Sequence, residues 1–387
     1  MRMKIRIYSL LILIGLLITR SSIAQNINIC IFSDIRIQSF SFIVVNGKYD
    51  IVSGNKEQAH LNDGDTVIVK RVESNLQVSV NAKKIGIFEF IKIRGTNIDN
   101  VFAITPLAPK AKTRVYDEDI YVTVDKGELQ IVNDVDFEKY IAGVIESEGG
   151  YVAPQEYYKV QSILCRTYAI KNYQRHLSEG YNLCDKVHCQ AYKGKCTKNI
   201  NIVKATNATK GIVVVDSDQI PITATFFSNS GGQTMNSEDT WTTKIPYLRS
   251  IKDSFSLGQP NATWERRIPK QAWQNYLLKK GCVLSDSIID FTFKQASRES
   301  LYTICGNKIP LHRIRTDWTL KSTYFNIIPL GDTLLFKGKG FGHGVGLSQE
   351  GAIKMATLGY SYDKIIKFYY RNVQLRNMKT FHFFEVE

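Results

Sequence analysis

The chain has 387 residues, of which 44% are hydrophobic and 11% aromatic. This composition supports a sizeable core and argues against an intrinsically disordered protein. The formal net charge of +14 suits an anionic partner, such as a wall polymer, a membrane surface or nucleic acid, although solubility alone would also account for it.

The first 24 residues have the pattern of a signal peptide. Cations precede a short apolar segment at 8–19, and Ser22-Ile23-Ala24 is a small-x-small cleavage pattern. We therefore expect a mature chain that begins at Gln25 in the periplasm or cell-wall space, with a net charge four lower, near +10. The apolar segment is short for a bilayer span, so membrane contact is expected only through an uncleaved signal segment. Export argues against nucleic acid as the partner.

Residues 25–109 have the pattern of a small β-rich lobe. Apolar runs at 35–45 and 49–52 flank Asn46-Gly47, a strong signal for a β-hairpin. The segment 106–114 (PLAPKAKTR) has the composition of a linker or crossing segment. We expect residues 110–387 to form one larger domain. The predicted class is α+β, with a mixed β-rich core and a few helices flanking a substrate cleft.

The spacing of apolar residues changes from the alternation of a strand to that of a helix at 137–148, where the first helix is predicted. Its apolar residues recur at helical spacing, and Gly149-Gly150 follows directly after Glu148. A carboxylate at a helix C-terminus meets the negative end of the helix dipole. Its pKa should therefore rise, which favours a role as general acid. The alternative is that Glu146 and Glu148 are both solvated on the surface.

A second helix is predicted from Pro154 to about Leu177, before Gly180. Gln161 and Arg166 lie off its densest apolar stripe. Arg166 is suited to hold a carboxylate or a sugar, and it equally suits an exposed surface position.

Seven cysteines leave at least one free thiol or metal ligand in an exported chain. Cys184, Cys189 and Cys196 lie close together, and His188 adjoins Cys189. Thiolates and imidazoles at such spacing suit a tetrahedral Zn²⁺ site, with His176 as the best further ligand. The alternative, which export favours, is a disulfide between Cys184 and Cys189 or between Cys189 and Cys196.

A polar run, SNSGGQT, follows a predicted strand at 220–227. It begins at Ser228 and includes Ser230 and Gly231. Hydroxyl, amide and glycine groups suit the recognition of sugar hydroxyl or amide groups, whereas the alternative is an ordinary polar loop. Trp241 follows two acidic residues, which is a weak indication of sugar stacking.

The stretch 336–352, FKGKGFGHGVGLSQEGA, holds six glycines around His343. Glycine is favoured where the backbone adopts positive φ or approaches another group closely. We therefore predict a site built largely from backbone, followed by the polar side chains of Ser348 and Gln349. The alternative is a glycine-rich turn between a strand and a helix. The stretch lacks the context of a dinucleotide site and the Lys-Ser/Thr end of a phosphate loop.

Six segments stand in a characteristic order: DFEKYIAGVIESE, QSILCRTYAI, LCDKVHCQAYKG, FFSNSGGQT, RTDWTLKSTYF and KGKGFGHGVGLSQEGA. Together they resemble the sporulation stage II protein D family, also called the SpoIID/LytB domain, over most of the chain. The resemblance implies lytic transglycosylation of peptidoglycan. Such enzymes cut the β-1,4 bond between N-acetylmuramic acid and N-acetylglucosamine, leave a 1,6-anhydro end, and prefer strands that a cell-wall amidase has stripped of stem peptides.

The resemblance places the catalytic acid at Glu148 and the metal ligands at Cys184, His188 and Cys189. The spacing of the Cys/His residues adds His176 and Cys196 as further candidates. One acid suffices in such a mechanism because the substrate's own C6 hydroxyl is the nucleophile, whereas glycoside hydrolases generally need two carboxylates. The residues expected to bind substrate are Gln161, Arg166, Ser228, Ser230, Gly231, His343, Ser348 and Gln349.

The chain departs from the family pattern at Gly149-Gly150, where Met-Pro is usual, and at Cys165, Phe341 and Glu350. These changes bear mainly on substrate shape. One alternative function is a non-catalytic wall-binding protein that recruits or enhances an amidase, which the basic charge suits. Another is a thiol peptidase that uses Cys165 and His343, which the mid-helix position of Cys165 disfavours.

Overall fold

The computed structural model describes residues 26–148, 152–283 and 289–380. It contains both helices and mainly antiparallel sheets, which confirms the predicted α+β class. The predicted signal peptide and the Gly149-Gly150 pair fall outside the described residues. Within the described ranges, no helix has the length and apolar character needed to cross a membrane.

The N-terminal part of the described chain consists of strands joined by short turns. In chain order they are β1 (Asn26–Ile31), β2 (Ser39–Asn46), β3 (Tyr49–Ser53), β4 (Lys56–Leu61), β5 (Thr66–Val72), β6 (Asn75–Val80), β7 (Lys83–Phe88), β8 (Ile91–Gly95), β9 (Val101–Ala108), β10 (Arg114–Asp117), β11 (Asp119–Asp125) and β12 (Glu128–Asp136). In β5 and β6, buried and less buried side chains alternate, as expected of strands with one face on a core.

These strands form two sheets that face each other. One has the order β10-β9-β2-β5-β6-β7, and the other runs from β1 through β12, β11, β8 and β3 to β4. The predicted hairpin at Asn46-Gly47 is wrong, because β2 and β3 pair into different sheets. The turn instead carries the chain across the core, where Phe42 and Tyr49 pack with ring centroids 5.4 Å apart.

Helices and shorter strands make up the rest of the chain. In order they are α1 (Phe137–Ser147), α2 (Gln155–Lys171), β13 (Leu183–Cys184), α3 (Ile200–Ala208), β14 (Ile212–Val215), β15 (Phe226–Phe227), α4 (Ser237–Thr240), β16 (Thr263–Pro269), α5 (Lys270–Lys279), β17 (Leu301–Ile304), β18 (Asn307–Pro310), α6 (Leu311–Asp317), β19 (Phe325–Leu330), β20 (Thr333–Lys339), β21 (Leu347–Ser348), α7 (Gln349–Thr357), α8 (Tyr362–Tyr369) and β22 (Gln374–Asn377).

Strands from both sides of residue 110 share the two large sheets. β10 pairs with β9, β11 pairs with β8, and β13 adds in parallel to β1. The division into a small lobe and a larger domain at residue 110 stays a prediction. The two sides of it contribute to one continuous hydrophobic core.

Helix α1 begins where the sequence supplies a cap. The Asp136 carboxylate accepts hydrogen bonds from the N–H groups of Glu138 and Lys139, which satisfies donors that a helix leaves unpaired at its N-terminus. Glu148 is the C-terminal cap residue. Helix α2 ends at Lys171, before the predicted end near Leu177, because the chain there turns toward the cysteine-rich loop.

Residues 263–339 build a second, smaller hydrophobic cluster. The three-stranded sheet β16-β20-β19 packs against α5 and α6 around Trp273 and Phe336. The sequence patterns over this region are mixed and predict no clear architecture. The glycine-rich stretch leaves β20 directly and returns to the main core at β21.

Candidate functional site

Two segments that are far apart in the sequence lie side by side. β15 pairs in parallel with β21, and Asn229 forms an isolated bridge with Phe341. The SNSGGQT loop and the glycine-rich stretch are therefore one structural unit.

The glycines of this unit allow backbone to approach backbone. A Cβ atom at Gly340 would lie 2.5 Å from the carbonyl oxygen of Asn229, and one at Gly346 would lie 2.2 Å from that of Thr225. Both residues have positive φ, which glycine adopts readily. These glycines therefore let the stretch pack closely against other loops of the same chain.

His343 is held by hydrogen bonds through both ring nitrogens. The Val345 N–H donates to Nδ1 (3.1 Å), so the proton resides on Nε2, which donates to the carbonyl of Phe226 (3.1 Å). The pKa of His343 is lowered to about 4, chiefly by burial and further by the charges of Arg315 and Arg298. His343 is thus a neutral, oriented ring at neutral pH, and its contacts with a ligand would be through the ring face or edge.

Several residues expected to bind substrate are instead internal. The Ser230 hydroxyl donates to Asp253 (2.8 Å), and the Ser348 hydroxyl accepts from the Ser230 N–H (3.2 Å). Both serines have no exposed surface, and Gly231 is buried against Lys339. Ser228 remains half-buried at the start of the loop.

Glu148 lies at the edge of the core with one strong polar contact. The N–H of Ala191 donates to its Oε1 (3.1 Å). Burial raises the pKa of Glu148 above its ordinary value, and the Ala191 contact opposes this rise. The sequence predicted a raised pKa from the helix dipole, whereas desolvation is the cause that the structure provides.

One face of α2 is turned toward Glu148. The charge of Glu148 acts on both Tyr157 and Cys165, which lie two turns apart on that helix. Gln161 lies midway between them, on the same face. It is 1% exposed, and its Nε2 has no hydrogen-bond partner among the described residues. A buried amide donor without a partner is costly unless a ligand or water satisfies it.

Gln349, in the glycine-rich stretch, contacts the same face of α2. The Gln349 side chain interacts with Tyr157, beside Glu148. Gln161 and Gln349 are therefore predicted substrate-binding residues that the structure places on the α2 face turned toward the predicted acid. Cys165 is fully buried, and burial raises the pKa of its thiol, which argues against a nucleophilic thiolate.

Arg166 has a different environment from the one expected. Its Nε and Nη2 donate to the two carboxylate oxygens of Glu138 (3.0 and 2.6 Å), and it also donates to the backbone carbonyls of Ile212 and Thr206. Its side chain has no exposed surface. In the described structure Arg166 ties α2 to α1 and offers no surface to a glycan.

The two glutamates near the end of α1 are not equivalent. Glu146 is 8% exposed and accepts backbone N–H groups of Thr197, Lys198 and Asn199. The Cys196 thiol also donates to it (3.2 Å). The expectation that Glu146 is a solvated surface residue is wrong, because it anchors the chain before α3. Cys196 therefore bonds to Glu146 and is not part of the group formed by His176, Cys184, His188 and Cys189.

Four side chains form a group that could hold a metal ion. His176, Cys184, His188 and Cys189 each present one ligand atom, all within 4.8 Å of one another. Two Sγ–Nε2 distances, from Cys184 to His188 and from Cys189 to His176, are 3.4 Å. Tetrahedral zinc with ordinary Zn–S and Zn–N bonds requires about 3.6 Å, so the donor set fits this ion.

The surroundings of this group also suit a metal. Nδ1 of His176 lies 2.6 Å from Glu179, and a carboxylate at that place commonly orients a ligating imidazole. Within the described residues all cysteines are free. The loop that carries Cys184 and Cys189 continues directly to Ala191, which contacts Glu148.

Comparison with known proteins identifies the relatives of this chain. Residues 125–215 match the family described as stage II sporulation protein, SpoIID. The stage II sporulation protein D of Bacillus subtilis is 29% identical over 314 residues, which cover 76% of this chain and 90% of that protein. The protein of the same name from Bacillus amyloliquefaciens is 30% identical over 288 residues, with 70% and 83% covered.

The chain belongs to the stage II sporulation protein D family. A protein named amidase enhancer, from Bacillus subtilis, is 28% identical over 289 residues, which cover 61% of this chain and 40% of that protein. The SpoIID match at 125–215 contains Glu148, α2 and the whole Cys/His group. The resemblance seen in the sequence is thus confirmed at the level of the family.

Some residues of this SpoIID-family site carry no sequence signal. Tyr157 is indistinguishable from a core aromatic, and Ala191 contributes only its backbone N–H. Glu138 gives the pattern of a first-turn helix acid, yet it is the partner of Arg166. Arg298, whose charge reaches His343, comes from a region with mixed sequence patterns, whereas Arg315, whose charge also reaches His343, begins the segment RTDWTLKSTYF.

Proposed function

We propose that this chain is an exported lytic transglycosylase of peptidoglycan. It cuts the β-1,4 bond between N-acetylmuramic acid and N-acetylglucosamine in peptide-free strands and leaves 1,6-anhydromuramic ends. The observation that carries the proposal is Glu148, a half-buried carboxyl with a raised pKa at the end of α1. Among the described residues, no second carboxylate contributes to that shift, which suits a mechanism with one acid.

The chemistry needs one proton donor that then becomes an acceptor. Protonated Glu148 gives its proton to the glycosidic oxygen, and the bond from C1 to that oxygen breaks. The C6 hydroxyl of the same muramic residue attacks C1, and the Glu148 carboxylate takes the hydroxyl proton. Glu148 is thereby restored, and no water has to be placed, in contrast to glycoside hydrolysis.

The neighbours of Glu148 support this role. The Ala191 N–H stabilises the carboxylate that forms after the first transfer. Gln161 and Gln349 are the candidates for holding the sugar, because the first has a buried donor without a partner and the second interacts with Tyr157. Burial raises the pKa of Tyr157, so its hydroxyl stays protonated.

We assign the Cys/His group to a structural zinc ion. His176, Cys184, His188 and Cys189 would hold it, and a bound zinc would contribute fold stability to the loop that presents Ala191. The substrate is a wall glycan outside the cytoplasm, and an amidase that removes stem peptides is the expected partner.

A second candidate function is enhancement of a wall amidase without glycan cleavage. The relative named amidase enhancer and the net positive charge favour it. The two functions differ in one product. Purified protein incubated with peptide-free glycan strands should release 1,6-anhydromuramyl fragments detectable by mass spectrometry, whereas an enhancer alone releases none.

A further inference from the structure

Arg298 and Arg315 act on His343, and Lys321, which lies over the ring of neighbouring Phe341, completes what we call the basic cluster. The guanidinium Nη1 of Arg298 is 2.7 Å from the position that a Cβ atom at Gly344 would take. Arg315 donates from Nε to the carbonyl of Lys321 (3.3 Å), and that carbonyl also accepts the N–H of Gly342 (2.8 Å). Gly344 thus lies against the Arg298 guanidinium, and the Lys321 carbonyl links Arg315 to the backbone of Gly342.

The positive charge of the cluster is not neutralised by the protein. Among the described residues, no carboxylate forms an ion pair with Arg298, Arg315 or Lys321. Burial and the proximity of Arg315 lower the pKa of Arg298 to about 10. Uncompensated cations that are partly withdrawn from water favour an anionic ligand.

Arg315 keeps donors that a ligand could use. Arg298 is held in place by the carbonyls of Gln233 (2.6 Å) and Ser230 (2.8 Å). The Nε of Arg315 donates to the Lys321 carbonyl, but its two terminal nitrogens have no hydrogen-bond partner in the part of the chain that the structure describes. Two parallel N–H groups of an arginine match the two oxygens of a carboxylate.

Two exposed aromatic rings border the cluster. Trp241 is 37% exposed, and its ring centroid lies 5.6 Å from that of His343. Phe341 is 39% exposed, with Lys321 over its ring at 5.5 Å. Partly exposed aromatic rings beside cations fit a ligand that has both an apolar sugar face and a negative charge.

We propose that Arg315, assisted by Arg298 and Lys321, binds the lactyl carboxylate of a muramic residue in a peptide-free strand, with a sugar ring against Trp241 or Phe341. This inference rests on the proposed function. A stem peptide converts that carboxylate into an amide and removes its charge, so the cluster selects strands without peptides. Gln349 is six residues after His343, a span of at most about 22 Å, so one strand reaches both this cluster and Glu148.

The test measures binding in the Glu148→Gln background, where the ligand is not consumed. Titration calorimetry compares peptide-free glycan oligomers with chito-oligosaccharides of equal length, which lack the lactyl carboxylate. We expect Arg315→Gln to weaken binding of the glycan about ten-fold or more and to leave binding of the chito-oligosaccharide unchanged. Arg267→Gln, which removes one exposed charge from β16, is the matched control and should bind both ligands like the parent.

The other outcomes overturn the inference in distinguishable ways. Equal glycan affinity in Arg315→Gln and Arg267→Gln removes the carboxylate site and leaves the proposed function intact. Parallel loss of both ligands in Arg315→Gln means that Arg315 acts only through the fold. If Arg315→Gln loses binding to a glycerol-phosphate polymer but keeps binding to the glycan, the cluster is a phosphate site and the inference is wrong. Absence of glycan binding in the Glu148→Gln parent itself contradicts the proposed function.

Discussion

The N–H of Ala191 donates a hydrogen bond of 3.1 Å to Oε1 of Glu148. Ala191 lies two residues after Cys189, so the loop that carries the Cys/His group also supplies the polar contact of the proposed acid. Tyr168 and Arg175, from α2 and the turn after it, both donate to the carbonyl of His188. The position of this loop therefore couples the proposed metal site to the proposed catalytic site.

Loss of the metal ligands should destabilise this loop. We expect purified protein to contain about one zinc ion per chain and Cys189→Ser to lose the ion, with a lower melting temperature and lower glycan cleavage. Cys305→Ser, at an exposed cysteine, is the control and should keep both zinc and stability. Elemental analysis and calorimetry measure these quantities. A Cys184–Cys189 disulfide found by peptide mapping of metal-free protein would contradict the assignment.

The raised pKa of Glu148 makes stability depend on pH. Burial favours the protonated form in the folded state, so the contribution of Glu148 to stability is present below its unfolded pKa and is lost as pH rises through its folded pKa. Glu148→Gln has no charge and still accepts the Ala191 N–H. Its melting temperature should equal that of the parent near pH 4, about the unfolded value, and exceed it at pH 8. An equal difference at both pH values would show that the carboxyl is not destabilised when it ionises.

Arg166 should stabilise the fold through its ion pair with Glu138. Arg166→Met leaves the Glu138 carboxylate buried without its partner, which typically reduces the free energy of unfolding by about 3 kcal/mol or more. The double variant Glu138→Gln/Arg166→Met should recover part of that loss. Urea unfolding measures both. Parental stability in Arg166→Met combined with loss of glycan binding would instead support the substrate-binding role that the sequence predicted.

A side chain at Gly340 should lower the free energy of unfolding more than backbone strain alone does. Gly340 and Gly359 both have positive φ (+74° and +85°), but only the Cβ position at Gly340 clashes with backbone, 2.5 Å from the Asn229 carbonyl. Gly359→Ala should reduce the free energy of unfolding by about 1–2 kcal/mol, from backbone strain alone. Gly340→Ala should reduce it further, because the two loops must separate. Equal losses in urea unfolding would mean that the loops are not tightly packed.

The sequence predicted the parts of the site that follow local rules. Helical spacing and the glycine pair placed Glu148 at the end of a helix, and the close spacing of Cys184, His188 and Cys189 indicated a metal group. The sequence also favoured His176 as the further ligand, and the structure places His176 in the group while Cys196 bonds to Glu146.

Long-range contacts account for the expectations that the structure corrects. Glu146 is buried because the chain before α3 folds back over it, and nothing in the residues around Glu146 signals this. The hairpin expected at Asn46-Gly47 has the right turn residues, yet β2 and β3 find partners elsewhere. The glycines around His343 contact other loops of the same chain, whose positions the local pattern does not contain.

Product analysis of Glu148→Gln tests the central claim most directly. A general acid typically contributes about 10²–10⁴-fold in rate, and Glu148 serves both proton transfers. We expect the parent to release 1,6-anhydromuramyl fragments from peptide-free strands, and Glu148→Gln to bind the strands but release fragments at least about 10²-fold more slowly. Glu89→Gln, at an exposed glutamate, should cleave like the parent. Near-parental cleavage by Glu148→Gln, or fragments from the parent with reducing muramic ends, would contradict the single-acid transglycosylase account.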